Sequence, residues 1–403
     1  MAAWLIVLGV IVLAIAYVFY NYFRIRRMGE GTAEMIEMAE IIRSGAATFL
    51  KTEYRTISIV VLLVALVFSL FIEKTSGITF LIGACMSSAV CVLGMRSATY
   101  ANVRTANRAR ETLSIGETVK VALCGGSISG LSVQAFGMLG LVLVLVIWKG
   151  IDPSATGRGL LANLPCNPSI MRVTTYSLGC SLVAMFNRVA GGNYTKAADI
   201  SSDILAKLRH DMPEDDSRVP NVVADFIGDN VNDIAGNCSD LLESFVATMA
   251  AAIMIAVTLF NGAQGSMGQA TFDATCIYPI VLAGGGLLGC LLGLGYAAYR
   301  KMGDNPSKEL NLATWISAGI TVVLGFFAAL ILFTGKDMSL YPEFKWGWIS
   351  PWISAVLGIA SGVLIGIITE YYTSTDYKPT RKLAEIATEG EAFVITKGDA
   401  IGS

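Results

Sequence analysis

Nine long apolar stretches, separated by polar segments, divide the chain. They cover residues 2–23, 56–72, 78–100, 127–148, 171–195, 228–260, 275–299, 311–333 and 349–372. A helix needs about 20 mostly apolar residues to cross the hydrocarbon core of a bilayer, and these stretches are close to that length. The pattern therefore predicts an all-α fold: a polytopic transmembrane helix bundle with nine spans, forming a single transmembrane domain over residues 1–403.

The polar segment between the first two spans has its own periodicity. Met35, Ile36, Met38, Ile41 and Ile42 recur at helical spacing among charged and small residues. Such a pattern is typical of an amphipathic helix at a membrane interface. We expect this segment to form a structural helix that lies at the cytoplasmic surface.

Basic residues are distributed unevenly between the two sides of the predicted bundle. If odd-numbered spans run inward, most Lys and Arg residues fall on the cytoplasmic side, and the opposite side keeps Lys74, Lys149, Arg158, Arg172, Lys336 and Lys345. This bias predicts an external N-terminus and a cytoplasmic loop around residue 215. The first span is not read as a signal peptide, because no basic residue precedes its long apolar run.

Composition agrees with a membrane protein. The chain is 54% hydrophobic and 15% charged, with a mean hydropathy of +0.62, whereas charged residues make up about a quarter of a typical soluble domain. His210 is the one histidine in the sequence, which leaves little room for histidine-based chemistry. The eight cysteines have no CxxC spacing and fall mostly in apolar stretches, so we expect buried free thiols.

Charged residues are concentrated in residues 188–243, between stretches that are strongly apolar. Arg188, Lys196, Asp199 and Asp203 are spaced so that they share one face of a helix. We expect this face to gather both cations and carboxylates.

A second acidic face follows on the next predicted helix. Asp225, Asp229 and Asp233 recur every four residues, and Asp240 and Glu243 continue the series. In a regular α-helix these five residues make a carboxylate stripe roughly 27 Å long, because each residue adds about 1.5 Å. Carboxylates one turn apart repel each other, so the stripe calls for bound cations.

These residue types suit a metal-complexed polyanion. Mg²⁺ takes oxygen ligands and usually binds through a few carboxylates together with substrate phosphates, while Lys196 and Arg188 can contact phosphate oxygens directly. The loop PEDDSR (213–218) by itself is more typical of a solvated surface. Ionisable residues inside a span, as at Asp240 and Glu243, instead indicate function, because they are costly in a membrane.

Several segments resemble the signature sequences of membrane-bound, ion-pumping inorganic pyrophosphatases. They read RVAGGNYTKAAD (188–199), PEDDSR (213–218), ADFIGDNVNDIAG (224–236), SDLLES (239–244), GMRSATYANVRTA (94–106) and TEYYTSTDYKPTRKLAE (369–385). The resemblance covers essentially the whole chain and is to the N-terminal portion of these proteins. It implies Mg²⁺-dependent hydrolysis of pyrophosphate coupled to H⁺ or Na⁺ transport, with K⁺ or Na⁺ as further possible cofactors. It also implies a homodimer in the plasma (inner) membrane of a prokaryote, in contact with lipid and not with nucleic acid.

The resemblance also assigns roles to individual residues. Lys196, Asp199, Asp203 and Glu214 would bind substrate. The metal ligands would be Asp199, Asp203, Asp225, Asp229 and Asp233. Asp233 would hold the attacking water, with Lys196 and Arg188 completing the catalytic set. An ion gate would consist of Arg188, Asp240 and Glu243, and a glutamate in this position slightly favours sodium as the pumped ion.

Some positions depart from the family pattern. Phe226 replaces an asparagine, Asn232 replaces a glycine, and Arg209 stands where an acidic residue is common. Family members have roughly sixteen segments of spanning length, and later helices carry a second set of acidic motifs. Two other functions therefore stay open: a cation exchanger that uses acidic spans without hydrolysis, and a non-catalytic fragment.

Overall fold

The computed structural model describes residues 2–161, 166–209, 211–213, 216, 219–262, 268–300, 306–336 and 344–402. These residues are almost entirely helical and form no β-strand, apart from one isolated antiparallel bridge between Gly157 and Cys166. In chain order, the first ten helices are α1 (Ala2–Arg26), α2 (Ala33–Phe71), α3 (Ser76–Thr112), α4 (Ile115–Ile147), α5 (Pro168–Asp203), α6 (Pro220–Asp229), α7 (Asn237–Gly262), α8 (Gln269–Tyr299), α9 (Pro306–Phe333) and α10 (Ser350–Thr373). Two further helices, α11 (Lys378–Ile386) and α12 (Glu391–Gly402), follow.

Two π-helical segments interrupt this regular pattern. Ile204–Arg209 extends the end of α5, and Asn230–Gly236 joins α6 to α7. A short 3₁₀ turn, Gly347–Ile349, leads into α10, and another, Ala387–Glu389, separates α11 from α12. Because α6, the π-helical segment and α7 are continuous, they act as one long helix of the bundle.

Each of the nine predicted spans lies on a long helix, which confirms the helical bundle. Eight helical stretches in the described part of the chain are long and apolar enough to cross a membrane. The predicted span at residues 171–195 falls on α5, which is 36 residues long but is not one of these eight. α5 packs against α3, α6 and α7, so neighbouring helices shield much of its polar surface.

The segment between the first two spans is helical, as predicted, but it is continuous with the second span within α2. Thr32 caps α2, with its hydroxyl accepting a hydrogen bond from the Met35 N–H at 3.4 Å, and the helix then continues without a break to Phe71. Its buried residues recur at intervals of four and seven along its whole length: Ala39, Ala46, Leu50, Ile57, Val61 and Ala65. The first part of α2 therefore packs through Ala39 and Ala46, whereas Ile36 and Ile41 of the predicted apolar face are exposed.

Polar contacts join the loops at each end of the bundle. At one end, the Arg172 Nε donates to Thr75 Oγ1 at 2.8 Å, and the Asp152 N–H donates to Ser169 Oγ at 3.1 Å. At the other end, Glu30 pairs with Arg104 at 2.7 Å. The basic residues predicted to be external and those predicted to be cytoplasmic thus lie at opposite ends. Which end faces the cytoplasm stays a prediction.

The core lies where α3, α4, α5 and α7 meet. Tyr176 is fully buried there, and its hydroxyl donates to the Gly137 carbonyl at 2.9 Å. Thr79 and Thr175 share a hydrogen bond of 2.7 Å between α3 and α5. Such pairings satisfy side-chain polar groups inside a bundle where water is absent. They fix α5 against α3 and so position the residues that α5 presents further along.

All eight cysteines are free. Cys91, Cys124, Cys180, Cys238 and Cys276 are buried, as predicted, while Cys166 and Cys290 are partly buried. Cys85 is exposed, so the prediction of a buried thiol is wrong there. The reason is that Cys85 lies on a face of α3 that borders an open groove rather than another helix.

Candidate functional site

The predicted site residues lie on two long helices that run antiparallel. α5 packs along α6, the π-helical segment and α7. Contacts between them follow one register: Ser201 lies beside Asn221, with an Nδ2–Oγ distance of 3.2 Å, and Ser181 lies beside Glu243, with an Oγ–Oε1 distance of 2.6 Å. The two charged faces predicted from sequence are therefore neighbours.

Glycine permits the close approach of these helices. A Cβ on Gly228 would lie 2.8 Å from the Thr195 Cα, and one on Gly191 would lie 3.1 Å from the Asn232 Cα. With backbones this close, the Thr195 hydroxyl donates to Asp229 Oδ1 at 2.9 Å. This contact places Asp229 of α6 next to the turn of α5 that carries Lys196.

The straight carboxylate stripe is not present. A π-helical turn holds more residues than an α-helical turn, because each hydrogen bond spans five residues instead of four. Asp233 lies within the π-helical segment Asn230–Gly236, so it is rotated relative to Asp225 and Asp229. Asp225 is buried, with 8% of its surface exposed, whereas Asp229 and Asp233 are exposed. The regular spacing in sequence therefore does not translate into one straight face.

The carboxylates of α5 have lysine partners. Lys196 Nζ lies 3.2 Å from Asp199 Oδ2, and Lys207 Nζ lies 3.1 Å from Asp203 Oδ2. The sequence analysis predicted the shared face of Lys196, Asp199 and Asp203 but not the role of Lys207. These pairs are largely solvent-exposed, so each contributes little to stability.

The predicted gate residues are brought only partly together. Arg188 Nη1 donates to Asn237 Oδ1 at 2.7 Å, and its Nη2 lies 3.7 Å from Asp240 Oδ2. Glu243 instead accepts a hydrogen bond from Ser181. Neither Asn237 nor Ser181 was predicted as a contact, because no sequence pattern gives the register between two helices.

The metal-ligand set predicted from the resemblance stays a prediction. Within the described residues, no three of the His, Cys, Asp and Glu side chains converge on a point that could hold a metal ion. Glu214 lies outside the described residues. Asp229 and Asp233 accept hydrogen bonds from Thr195 and Asn232 and form no ion pair with a described residue. Their donor chemistry fits Mg²⁺, which favours carboxylate oxygens.

The face that carries these groups is open. Arg188, Lys196, Asp229 and Asp233 are all exposed. Apolar side chains on the same two helices are exposed as well, with Met185 at 54%, Val189 at 59% and Leu241 at 60%. A face that mixes charged and apolar residues in this way is suited to contact with a charged ligand and with further helices.

Comparisons with known proteins agree with this picture. The sequence model of a family described as inorganic H⁺ pyrophosphatase matches residues 12–403. A K⁺-stimulated pyrophosphate-energized sodium pump of Thermotoga maritima is 42% identical over 96% of the chain and 55% of its own length. A putative K⁺-stimulated pyrophosphate-energized sodium pump of Bacteroides thetaiotaomicron is 33% identical over 97% of the chain and 52% of its own length.

A proton pump is among the similar proteins too. A K⁺-insensitive pyrophosphate-energized proton pump of Moorella thermoacetica is 30% identical over 97% of the chain and 53% of its own length. The chain thus spans about half the length of the curated relatives it matches.

Proposed function

Because the chain belongs to the inorganic H⁺ pyrophosphatase family and is a multi-pass membrane protein, we propose that it forms the substrate-binding part of a Mg²⁺-dependent, pyrophosphate-hydrolysing ion pump. The observation that carries this proposal is the pairing of α5 with α6 and its π-helical extension. The Thr195–Asp229 hydrogen bond of 2.9 Å fixes the two acidic motifs side by side at one end of the bundle.

The charges on this face suit a pyrophosphate bound together with metal ions. Lys196 and Arg188 donate charge-assisted hydrogen bonds to phosphate oxygens. The candidates that hold Mg²⁺ are Asp199, Asp203, Asp225, Asp229 and Asp233. When bound, Mg²⁺ neutralises the phosphate oxygens and so lowers the barrier to attack by water. Glu214, which follows α5 in the sequence and lies outside the described residues, completes the set that the resemblance implies.

Asp233 is the candidate general base. A carboxylate held near bound pyrophosphate can accept a hydrogen bond from the attacking water and then take its proton. The Asn232 amide donates to Asp233 Oδ1 at 3.1 Å, which orients the carboxylate while leaving its other oxygen accessible. Asp233 in this role would act with a carboxylate from another part of the family fold.

The pumped ion would leave the hydrolytic end through the Arg188 gate. Asp240 pairs with Arg188, and Glu243 lies about one turn further along α7. Both sodium and proton pumps occur among the similar proteins, and the 42% identical relative is a sodium pump. We therefore favour Na⁺ over H⁺, and K⁺ as an activator. The proposal also includes a homodimer in the plasma membrane of a prokaryote.

Thermal unfolding in detergent tests the binding site directly. The thermal stability of the purified chain is measured with Mg²⁺ alone, with the pyrophosphate analogue methylene diphosphonate alone, and with both together. A ligand that binds only the folded state stabilises it by about 2.7 kcal/mol at 100 times its dissociation constant. We expect the combination to stabilise the wild type, and Lys196→Ala and Asp229→Ala to lose most of this gain.

Asp273→Ala is the matched control, since Asp273 is exposed near the start of α8, away from the paired acidic motifs. It should keep the full response. If Lys196→Ala and Asp229→Ala respond to Mg²⁺ and the diphosphonate like the wild type, the acidic face is not the binding site.

A further inference from the structure

A basic cavity lies between α1, α2 and α3, at the end of the bundle predicted to be cytoplasmic. Its volume is about 540 Å³. Among the described residues, four basic side chains line it and no carboxylate does. They are Arg26, Arg43, Lys51 and Arg96.

The charge in this cavity is not balanced by the described protein. Glu30 pairs with Arg43 at 2.8 Å, but it also pairs with Arg104 at 2.7 Å. Arg26, Lys51 and Arg96 form no ion pair with any described residue. Like charges held together in a partly closed cavity repel, so a bound anion would stabilise the arrangement.

An aromatic ring organises the arginines. The guanidinium carbons of Arg26 and Arg43 lie 5.2 Å and 4.6 Å from the centroid of the Tyr100 ring. Such cation–π contacts hold guanidinium groups in place and use the face of the group rather than its N–H donors. At Arg26, which has no carboxylate partner among the described residues, the N–H groups thus stay available to an anion.

An apolar groove begins where the basic cavity ends. It lies between α2 and α3, has a volume of about 560 Å³, and shares Tyr54 and Val92 with the cavity. None of the described residues that line this groove is charged. Its walls include Ile57, Val61, Ala84, Ala89 and Leu93. From Ile57 to Phe71, α2 carries no charged residue and is mostly apolar, so the groove runs into the membrane-spanning part of the bundle.

We propose that this bipartite cleft binds an anionic phospholipid, with its phosphate headgroup in the basic cavity and one acyl chain in the groove. Basic pockets between transmembrane helices at the cytoplasmic side are suited to anionic headgroups. A free phosphate would use the cavity alone. The continuous apolar groove is what selects a lipid, because it offers a hydrocarbon chain a path directly from the headgroup position.

Native mass spectrometry of the purified chain in a non-ionic detergent tests this preference. Dioleoyl phosphatidylglycerol and dioleoyl phosphatidylcholine have the same acyl chains and differ in headgroup charge. We expect phosphatidylglycerol to be retained at least fivefold better. The double variant Lys51→Gln/Arg96→Gln should remove this preference, whereas Lys74→Gln/Arg158→Gln, which removes two exposed charges at the other end, should keep it.

Cys85 reports on the groove, since it lines the groove and is the exposed cysteine of the chain. The rate of its modification by a maleimide should fall at least threefold when phosphatidylglycerol is added, and Cys85→Ser shows which signal belongs to this thiol. Ala89→Trp fills the groove, so it should weaken lipid retention even with all four basic residues present. Unchanged thermal unfolding confirms that each variant is folded.

Three results would overturn the proposal. One is equal retention of the two lipids by the wild type, and another is an undiminished preference in Lys51→Gln/Arg96→Gln. The third is protection of Cys85 by glycerol 3-phosphate as strong as that by the lipid, because this headgroup analogue has no acyl chain. That result would identify a site for a soluble anion instead.

Discussion

Glu30 is the anionic partner of Arg43 and Arg104 at the predicted cytoplasmic end. Its carboxylate accepts two hydrogen bonds from Arg43, at 2.8 Å and 3.3 Å, and pairs with Arg104, which is 5% exposed. Burial acts to raise the pKa of Glu30, but the hydrogen bond from Arg43 and the charges of Arg104 and Arg43 together lower it below the ordinary value. Ionised Glu30 is therefore part of the stable fold.

We predict that Glu30→Gln destabilises the chain by about 2 kcal/mol at neutral pH, because it leaves the buried Arg104 without its anionic partner. Thermal unfolding in detergent measures the effect. Glu37→Gln, at an exposed position of α2, is the control and should be within about 0.5 kcal/mol of the wild type.

The same residue sets a pH dependence. Since folding lowers the pKa of Glu30, its stabilising effect is complete above the ordinary carboxyl pKa and is lost as pH falls through the lowered value. The difference in stability between wild type and Glu30→Gln should shrink in strong acid. A difference that stays constant from pH 7 into that range would contradict the role of the ionised carboxylate.

At the scale of elements, the π-helical segment between α6 and α7 changes what the acidic motif can do. The sequence places Asp225, Asp229 and Asp233 at regular α-helical intervals, but Asp225 and Asp229 lie on α6, whereas Asp233 lies in the π-helical segment, whose wider turn rotates it relative to the other two. π-helical turns inside longer helices are frequent at functional sites. The distortion thus lies in the motif that the proposed function requires.

The close packing of α5 on α6 gives an element-scale prediction. Gly228→Ala would place a Cβ 2.8 Å from the Thr195 Cα, so the helices must move apart, at a cost of about 1 to 3 kcal/mol. The shift also weakens the Thr195–Asp229 hydrogen bond. We therefore expect both lower thermal stability and a smaller response to Mg²⁺ with methylene diphosphonate.

Gly126→Ala is the matched control for this substitution. Gly126 is exposed on α4, and a Cβ there would meet nothing within 4 Å. Since alanine has a higher helix propensity by up to about 1 kcal/mol, this variant should be neutral or slightly more stable. If Gly228→Ala behaves like Gly126→Ala, the contact between α5 and α6 does not constrain the site.

At the scale of the whole molecule, the two ends of the bundle differ in charge, and this predicts its orientation. In a Cys85→Ser background, a cysteine at Leu208, which is 80% exposed, should be inaccessible to a membrane-impermeant thiol reagent in intact cells. A cysteine at the exposed Ser154 should react. The opposite labelling pattern would reverse the topology.

The open acidic face also predicts how active the chain is by itself. The chain spans about half the length of its relatives, and the resemblance assigns the second water-binding carboxylate to a later helix. General-base catalysis contributes about 10² to 10⁴ in rate. We expect phosphate release from pyrophosphate by the purified chain to fall short of that of full-length relatives by at least this factor.

Co-expression with the C-terminal half of the Thermotoga maritima relative should restore phosphate release, because the added helices would cover the exposed face of α5 and α7. Asp233→Asn in the same co-expressed pair is the control and should stay inactive. Turnover by the chain alone at the rate of a full-length pump would show that its acidic face is sufficient.

The sequence by itself determined the helical elements and the motifs. Hydropathy is a local property, and backbone hydrogen bonds must be satisfied inside a bilayer, so each of the nine apolar stretches could be assigned to a helix. The distribution of Lys and Arg divided the polar segments between the spans into two groups, one predicted for each side of the membrane. The long motifs indicated the family whose sequence model matches residues 12–403.

Only the tertiary structure decided how these elements meet. The register that pairs Ser181 with Glu243 and Thr195 with Asp229 depends on contacts between residues far apart in the chain, which no local pattern contains. The continuity of α2 is also visible only in the tertiary structure, where its buried residues from Ala39 to Ala65 form one face along the helix and α2 packs against α3 and α6. The cleft that joins the basic cavity to the apolar groove exists only because α1, α2 and α3 are placed together.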